Sequence, residues 1–159
     1  MRNYGPSTRA TVLDAPLQVC YFEVTVGKQL KILMADDEIN ILSLSGEALR
    51  QQGYDIVTAS DGLMAFEKAV AERPDLVILD RQMPEMNGLE VCKKIRETAE
   101  LRDIPVIFLT GQDTKAEIME GYSEGANEYI TKPFNLNELI DTVARILSKK
   151  QKPADLHSI

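Results

Sequence analysis

Four short apolar runs in this 159-residue chain each end at or next to a polar residue. The runs occupy residues 30–35, 76–79, 104–109 and 126–130, and the polar residues at their ends are Asp36, Asp37, Asp80, Thr110 and Lys132. Runs of this length that are rich in Ile, Leu and Val are typical of strands buried on both faces of a parallel sheet. Because parallel strands end at one sheet edge, where open α/β sheets bind ligands, the pattern predicts a single site built from these five side chains.

The charges at the predicted site imply a metal ion. Asp36, Asp37 and Asp80 supply three carboxylates, and Lys132 supplies one ammonium group. Crowded carboxylates repel one another unless a cation joins them, and one lysine cannot neutralise all three. The sequence therefore predicts that a divalent cation binds here.

Helical periodicity separates the strands. A further strand is predicted over residues 54–59. Five helices are also predicted: the first ends at Gly53, and the second runs from after Asp61 to Pro74. The third starts at the Asn87–Glu90 cap pair, the fourth runs from Asp113 and Thr114 to near Gly125, and the fifth starts at the Asn135–Glu138 cap pair. Five such units with short connections predict a doubly wound α/β fold, with a five-stranded parallel sheet and helices on both faces. We assign this domain to residues 30–150, an N-terminal extension of unknown role to 1–29, and a flexible C-terminal tail to 151–159.

Composition excludes several classes of function. The net charge of −7 disfavours direct binding to nucleic acid or to an anionic membrane. No apolar run approaches the roughly 18 residues of a membrane span. Cys20 and Cys92 lack the spacing of a metal site, which favours a reduced, cytoplasmic setting. The only histidine, His157, lies in the predicted tail, so a histidine-based site in the core is excluded.

Each site residue has an ordinary structural explanation when it is taken alone. Asp36 and Asp37 precede a helix, where acids interact favourably with the positive end of the helix dipole. Thr110 could end a strand, and Lys132 could be a solvated loop charge. Asp80 is harder to explain in this way, because it follows a buried strand and a lone buried carboxylate is costly. All of these explanations would have to hold together at one sheet edge, and we therefore favour a functional site.

The same residues carry a family resemblance over residues 30–150. The matching pieces are Asp36–Asp37 after the first strand, Asp80 with Met83–Pro84 and Gly88 after the third, Thr110 after the fourth, and Lys132–Pro133–Phe134 after the fifth. Together they resemble the receiver domain of two-component response regulators. The resemblance implies a flavodoxin-like fold of the chemotaxis-regulator type, with strand order 2-1-3-4-5.

The resemblance also implies chemical roles for the site residues. Asp80 would accept a phosphoryl group from a phosphohistidine and become an aspartyl phosphate. Lys132 would neutralise the transferred group, and Thr110 would donate its hydroxyl to a phosphoryl oxygen. The bond before Pro133 is often cis in the family, which would direct Lys132 inward.

A magnesium or manganese ion would complete this site. Magnesium prefers about six oxygen ligands and commonly retains water. Asp37 and Asp80 would bind it directly, Gln82 through its backbone carbonyl, and Asp36 through water.

The signal would be read out through a change of surface. Thr110 would move toward the phosphoryl group, and Tyr129, at the aromatic switch position of the family, would turn inward. The surface changed would be the fourth helix, fifth strand and fifth helix. Arg81, Gln82 and Gln112 flank the phosphoryl group, and in the family residues at such places adjust the rate of hydrolysis.

Partners follow from the resemblance. The phosphoryl donor would be a sensor histidine kinase or a histidine phosphotransfer protein, and the recipient of the signal a downstream effector or output domain. A phosphorylation-dependent homodimer is a further expectation, although Asn137 stands where many DNA-binding relatives have an arginine used in dimerisation. The domain would catalyse its own phosphorylation and dephosphorylation without being a turnover enzyme.

Three alternatives stay open at this point. A flavin-binding flavodoxin-like module would need a hydroxyl- and glycine-rich phosphate loop after its first strand, where this chain has Asp36–Asp37–Glu38. A haloacid-dehalogenase-like phosphatase would need an Asp-x-Asp pattern at the same place. A degenerate receiver that serves only as a scaffold would not need all five site residues.

Overall fold

The computed structural model describes residues 28–111 and 115–151 of the chain. Strands and helices alternate throughout this part. The elements are β1 Lys31–Ala35, α1 Ile39–Gln51, β2 Asp55–Ala59, α2 Gly62–Glu72, β3 Leu76–Asp80, α3 Gly88–Glu97, β4 Val106–Thr110, α4 Lys115–Ser123, β5 Glu128–Thr131 and α5 Leu136–Gln151. Nearly all of the predicted extension at 1–29, the helix start at Asp113–Thr114, and residues 152–159 of the predicted tail lie outside the described residues.

The five strands form one parallel sheet in the order β2-β1-β3-β4-β5. This confirms the predicted doubly wound fold and its strand order. The order reverses direction between β1 and β3, so the chain leaves these two neighbouring strands toward opposite faces. In folds of this kind the carboxyl ends of the strands at the reversal form a crevice.

Four strands begin later than the sequence pattern predicts, β1 and β2 by one residue and β4 and β5 by two. β4 begins at Val106, although the apolar run starts at Ile104, and β5 begins at Glu128, although its run starts at Ala126. Val106 instead exchanges two hydrogen bonds with Asn127, through the Asn127 side chain and backbone N–H, each of 2.8 Å. An apolar run reports burial, and burial extends into the connections here, since Ile104 and Ala126 are buried.

Helices cover both faces of the sheet, as predicted. The α1 and α5 helices pack on one face, and α2 and α3 pack on the other. The first interface joins strand residues such as Ile32, Met34, Ile78 and Leu109 to Leu42, Leu49, Leu139 and Val143. The second joins Leu33, Val77, Leu79 and Phe108 to Ala65, Ala69, Val91 and Ile95.

Local signals explain where several helices begin. Asp61 accepts a hydrogen bond from Met64 N at 2.7 Å, which caps α2. Asn87 and Glu90 form the capping box predicted for α3. Asn135 accepts a hydrogen bond from Glu138 N at 2.7 Å, at the start of α5.

The α4 helix is bound less tightly to the rest of the fold. Of its described side chains none is buried, and Met119 and Tyr122 expose 69% and 46% of their surface. In the part of the chain that the structure describes, no helix is both long and apolar enough to cross a bilayer.

Two glycines allow the loop after β3 to lie close to its neighbours. A Cβ at Gly88 would lie 2.5 Å from the carbonyl oxygen of Asp80, and a Cβ at Gly62 would overlap the backbone carbonyl of Met86. Gly62 N also donates a hydrogen bond to Pro84 O at 3.2 Å. The segment that follows Asp80 is therefore held against the start of α2.

We predict that Gly62→Ala lowers the free energy of unfolding by about 1–3 kcal/mol, because the added methyl group overlaps backbone atoms that cannot give way without moving the loop. Gly46→Ala is the matched control. Gly46 lies inside α1, and its Cβ would meet only side-chain atoms at 3.6 and 3.7 Å. Since alanine is the better helix former, this variant should be more stable by about 0.5–1 kcal/mol. Urea unfolding measures both, and a stability change of the same sign in both variants would contradict the packing argument.

Candidate functional site

The central strands deliver three polar side chains to the carboxyl edge of the sheet. Asp80 and Thr110 are the last residues of β3 and β4, and Asp36 directly follows β1. All three are buried, with 6%, 3% and 0% of their surface exposed respectively. Since β1, β3 and β4 are adjacent in the sheet, these residues lie side by side.

The three acids form one cluster. Asp36, Asp37 and Asp80 each place a carboxylate oxygen within 4.8 Å of those of the other two. Asp37 is exposed, whereas the other two are buried, so the cluster opens to solvent on one side. An oxygen-only donor set of this kind fits a hard divalent cation such as Mg²⁺.

Backbone N–H groups fix two of these carboxylates. Glu38 N donates to Asp36 Oδ1 at 2.8 Å, and Gln82 N donates to Asp80 Oδ1 at 3.3 Å. Each carboxylate is thus held by the loop that follows its own strand.

Lys132 is the cation of the cluster. Its Nζ lies 2.9 Å from Asp36 Oδ2 and 3.5 Å from Asp80 Oδ1. The Lys132–Pro133 peptide bond is cis, and Lys132 N donates to Thr110 O at 2.7 Å. Burial acts to lower the pKa of Lys132, but the hydrogen bond and charge of Asp36, the charge of Asp80 and the hydrogen bond with Glu38 together outweigh it, and the pKa lies above its ordinary value.

Sequence reasoning missed the role of Glu38. Its Oε1 lies 3.2 Å from Lys132 Nζ, so this lysine has a third acidic partner. Glu38 is the N-cap residue of α1, and its side chain exposes 60% of its surface. The only sequence signal was its position directly after two acids, which does not indicate which cation it meets.

The surroundings of the cluster change the pKa of Asp80 in particular. The pKa of Asp80 is raised to about 7, mainly by burial and also by the charge of Asp36, whereas the charge of Lys132 opposes the shift. Asp80 therefore needs an additional cation to stay fully ionised at neutral pH.

A cleft of about 410 Å³ lies next to the cluster, and Asp80 is the one of its three acids that lines the cleft. Its walls are formed by Asp80, Arg81, Gln82, Thr110, Gly111, Glu117 and Lys132. The structure thus brings together the five side chains that the sequence predicted to converge, and it places Gln82 beside them. Their chemical roles stay predictions.

Tyr129 lies beside the cleft. It is half-buried on β5, and its ring packs against Phe108 and Tyr122 at centroid distances of 5.4 and 5.2 Å. Its hydroxyl donates to Glu117 O at 3.2 Å and accepts a long hydrogen bond of 3.5 Å from Arg81. Burial raises the pKa of this phenol, so it is a neutral hydroxyl near neutral pH.

Comparison with known families agrees with this geometry. The family model described as the response regulator receiver domain matches residues 32–144. That range includes every element of the sheet except the first residue of β1, and all residues of the acidic cluster.

Curated relatives are larger than this chain. It is 40% identical over 121 residues to the alkaline phosphatase synthesis transcriptional regulatory protein PhoP of Bacillus subtilis, a match that covers 76% of this chain and 50% of the relative. It is 37% identical over 126 residues to the response regulator MprA of Mycobacterium leprae, covering 79% of this chain and 54% of the relative. The chain therefore spans about half the length of these relatives.

Two solved structures are covered over nearly their full length by the match to this chain. The chemotaxis protein CheY4 of Vibrio cholerae has a TM-score of 0.71 and 35% identity, with 74% of this chain and 98% of that chain covered. The Francisella response regulator 1452 receiver domain has a TM-score of 0.73 and 29% identity, with 77% and 100% covered.

We predict that the stability of the metal-free protein depends on pH through Asp80. The pKa of Asp80 is about 7 in the folded chain, against an ordinary value of 3.8. Between these values the folded chain holds a proton that the unfolded chain has lost, so the free energy of unfolding falls as pH rises from about 4 to about 7. Asp80→Asn cannot titrate at this position, so its free energy of unfolding should not show this fall. In EDTA, the difference in free energy of unfolding between Asp80→Asn and the parent should be larger at pH 8 than at pH 4, by on the order of 2 kcal/mol in favour of the variant.

Denaturant unfolding across this pH range measures the effect. Asp103→Asn is the control, because Asp103 is exposed and its curve should stay parallel to that of the parent. If the free energies of unfolding of Asp80→Asn and the parent change in parallel with pH, the pKa of Asp80 is not raised by folding.

Proposed function

This chain belongs to the response regulator receiver domain family, and from that premise we propose that it accepts a phosphoryl group on Asp80 and signals through a change of surface. The observation that supports this most directly is the cluster in which Asp80 lies beside two further carboxylates and 3.5 Å from Lys132. Receivers of two-component systems are signalling proteins and not turnover enzymes in the usual sense.

Asp80 is the proposed nucleophile. It is the last residue of the central strand β3 and faces the cleft over the sheet edge. A carboxylate oxygen of Asp80 would attack the phosphorus of a phosphohistidine, and the phosphorus–nitrogen bond would break with its electron pair passing to the imidazole. The product would be an acyl phosphate on Asp80.

We propose that Mg²⁺, or Mn²⁺, binds at the acidic cluster. Asp37 and Asp80 would be direct ligands together with the Gln82 carbonyl, and Asp36 would act through water. The ion would supply positive charge to the phosphoryl oxygens. The fit rests on the three converging carboxylates and on the high pKa of Asp80.

Lys132 and Thr110 would bind the transferred group. Lys132 is held within 3.5 Å of both Asp36 and Asp80, so its ammonium group is already aimed at the place where phosphoryl charge would appear. Thr110 lies next to Asp80 in the sheet, because Leu109 is the register partner of Asp80. Its hydroxyl would donate to a phosphoryl oxygen.

The output would be the surface formed by α4, β5 and α5. A phosphoryl group adds about −1.5 to −2 charge units and three acceptor oxygens, enough to draw the Thr110 hydroxyl toward it. Tyr129 would then turn inward into the space vacated. We propose that Thr110 and Tyr129 form one switch with two arrangements.

The partners are proposals on the same basis. A sensor histidine kinase or a histidine phosphotransfer protein would donate the phosphoryl group, and an effector or output domain would receive the signal. The relatives PhoP and MprA are named as regulators, and the match to this chain covers 50% and 54% of their lengths. Direct nucleic-acid binding by this chain is not expected from its charge of −7, and its cytoplasmic location and phosphorylation-dependent dimer stay predictions.

We predict that Asp80→Asn folds but takes up no phosphoryl group from acetyl phosphate with magnesium, because an amide cannot attack phosphorus. Intact-mass spectrometry should show one added phosphoryl mass on the parent and none on the variant. Asp103→Asn, which changes an exposed acid away from the site, should behave as the parent does. Uptake by Asp80→Asn equal to that of the parent would exclude Asp80 as the acceptor, and no uptake by the parent would favour the scaffold alternative.

We predict that Thr110→Ala separates modification from response. The nucleophile, the acidic cluster and Lys132 persist in this variant, so it should still bind beryllofluoride with magnesium, a stand-in for the phosphoryl group. It lacks the hydroxyl that reports the new charge to Tyr129. Amide chemical shifts over residues 115–147 should therefore change widely in the parent and stay local to the site in Thr110→Ala.

Thr131→Ala is the matched control. Thr131 is the register partner of Thr110 on β5, but it is exposed. Its variant should keep the wide response. Equal wide responses in the parent and in Thr110→Ala would show that the signal does not pass through the Thr110 hydroxyl.

A further inference from the structure

The α4 helix is poorly anchored by packing. It has no buried side chain among those described, and its hydrophobic residues Met119 and Tyr122 are exposed. Elements with few buried apolar contacts shift or open at low free-energy cost. Whatever polar contacts hold α4 therefore have a large share in setting its position.

The carboxyl end of α4 is tied to the body of the domain by α3. Arg96 Nη2 donates to Gly125 O at 2.6 Å and to Asn127 Oδ1 at 3.1 Å. Cys92 Sγ lies 3.3 Å from Glu124 O. These bonds go to the connection between α4 and β5, so they fix that end of the helix.

Arg81 ties α4 from the other side, and it is the residue next to Asp80. Its Nη1 donates to Glu117 O at 3.2 Å, and its Nη2 forms an ion pair with Glu120 Oε1 at 3.0 Å. The same Nη1 reaches the Tyr129 hydroxyl at 3.5 Å. One guanidinium group therefore contacts both α4 and the aromatic residue of the proposed switch.

The backbone of Arg81 is well fixed. Its N–H donates to Leu109 O at 3.0 Å, and its carbonyl accepts from Gly88 N at 3.0 Å. Its side chain exposes only 11% of its surface. The Glu120 side chain exposes 56% of its surface, so the ion pair is shielded from solvent at the Arg81 end only.

We infer that Arg81 is a positioning residue that holds α4 and Tyr129 in the unphosphorylated arrangement, and that it thereby regulates how readily the Asp80 site switches. The inference rests on the proposed function and adds a regulatory contact to it. Tyr129 cannot turn inward without releasing Glu117 O and the Arg81 guanidinium. The contacts of Arg81 therefore stabilise one of the two arrangements and not the other.

This assignment has a measurable consequence for ligand binding. When only a fraction of the molecules is in the binding-competent arrangement, the apparent dissociation constant equals the intrinsic one divided by that fraction. Removing a contact that favours the incompetent arrangement raises the fraction. Ligand should then bind more tightly, although no contact to the ligand has been added.

The test compares the parent with Arg81→Gln and Glu120→Gln. Arg81→Gln removes all three guanidinium contacts, and Glu120→Gln removes the ion pair while leaving Arg81 in place. Glu120 is outside the residues that line the Asp80 cleft, so its variant replaces no residue of the cleft wall. Each protein is titrated with beryllofluoride in excess magnesium, and amide chemical shifts over residues 115–131 are recorded before and after.

We expect tighter apparent binding, by roughly fivefold or more in Arg81→Gln, the lower end of typical coupling between sites, and by less in Glu120→Gln. Before ligand is added, the amide signals of α4 and β5 in both variants should already be shifted along the line that joins the corresponding signals of the free and the ligand-bound parent. Arg50→Gln is the control, because Arg50 pairs only with its neighbour Glu47 on α1 at 3.9 Å among the described residues. It should match the parent in both measurements.

Three outcomes would overturn the inference. Weaker binding by Arg81→Gln with unshifted free-state signals would mean that Arg81 contacts the ligand directly. Unchanged affinity and signals in both variants would make the pair with Glu120 merely structural. If the parent itself fails to bind beryllofluoride, the proposed function is wrong, and the inference that rests on it is wrong as well. If the parent binds and responds widely, a lack of effect in both variants rejects only the role of Arg81.

Discussion

Mutual repulsion between carboxylates at one edge of the sheet is the constraint on which the site depends. Asp36 and Asp80 are buried within reach of each other, and the only ammonium group that contacts both, among the described residues, belongs to Lys132. Such a cluster can persist because five paired strands hold it, so its free-energy cost is offset by the burial of two apolar faces. The raised pKa of Asp80 comes first from burial and then from this repulsion, and it makes the site responsive to an added cation or phosphoryl group.

The fold combines a rigid layer with one loosely attached element. The sheet and the helices α1, α2, α3 and α5 share two apolar interfaces, whereas α4 is held mainly through polar contacts from Arg81, Arg96 and Tyr129. The charge that a phosphoryl group would add acts more strongly on polar contacts than on apolar ones. The element with the weakest packing is therefore well suited to carry a response, while the strands that place the acids remain fixed.

Most of the fold could be predicted from the sequence because its strands are buried on both faces. Continuous apolar runs then have a clear meaning, and polar residues at their ends must lie at one edge. Among the described residues the predicted strands were wrong only at their boundaries: Ile104 and Ala126, for example, are buried outside the strands that they were assigned to, since burial and strand pairing are different properties. Helix starts at Asn87 and Asn135 were predictable because capping is a local interaction.

The sequence by itself determined the elements, the sheet and the identity of the acids and lysine at its edge, because these follow from periodicity and from where strands end. Only the tertiary structure decided which charges pair. Glu38 meets Lys132 across 94 positions of sequence, and Arg81 meets Glu120 across 39. Such contacts depend on side-chain length and direction in the folded chain, and a sequence pattern carries no information about either. The same holds for Asp80, whose raised pKa comes from enclosure by neighbours that only folding brings near.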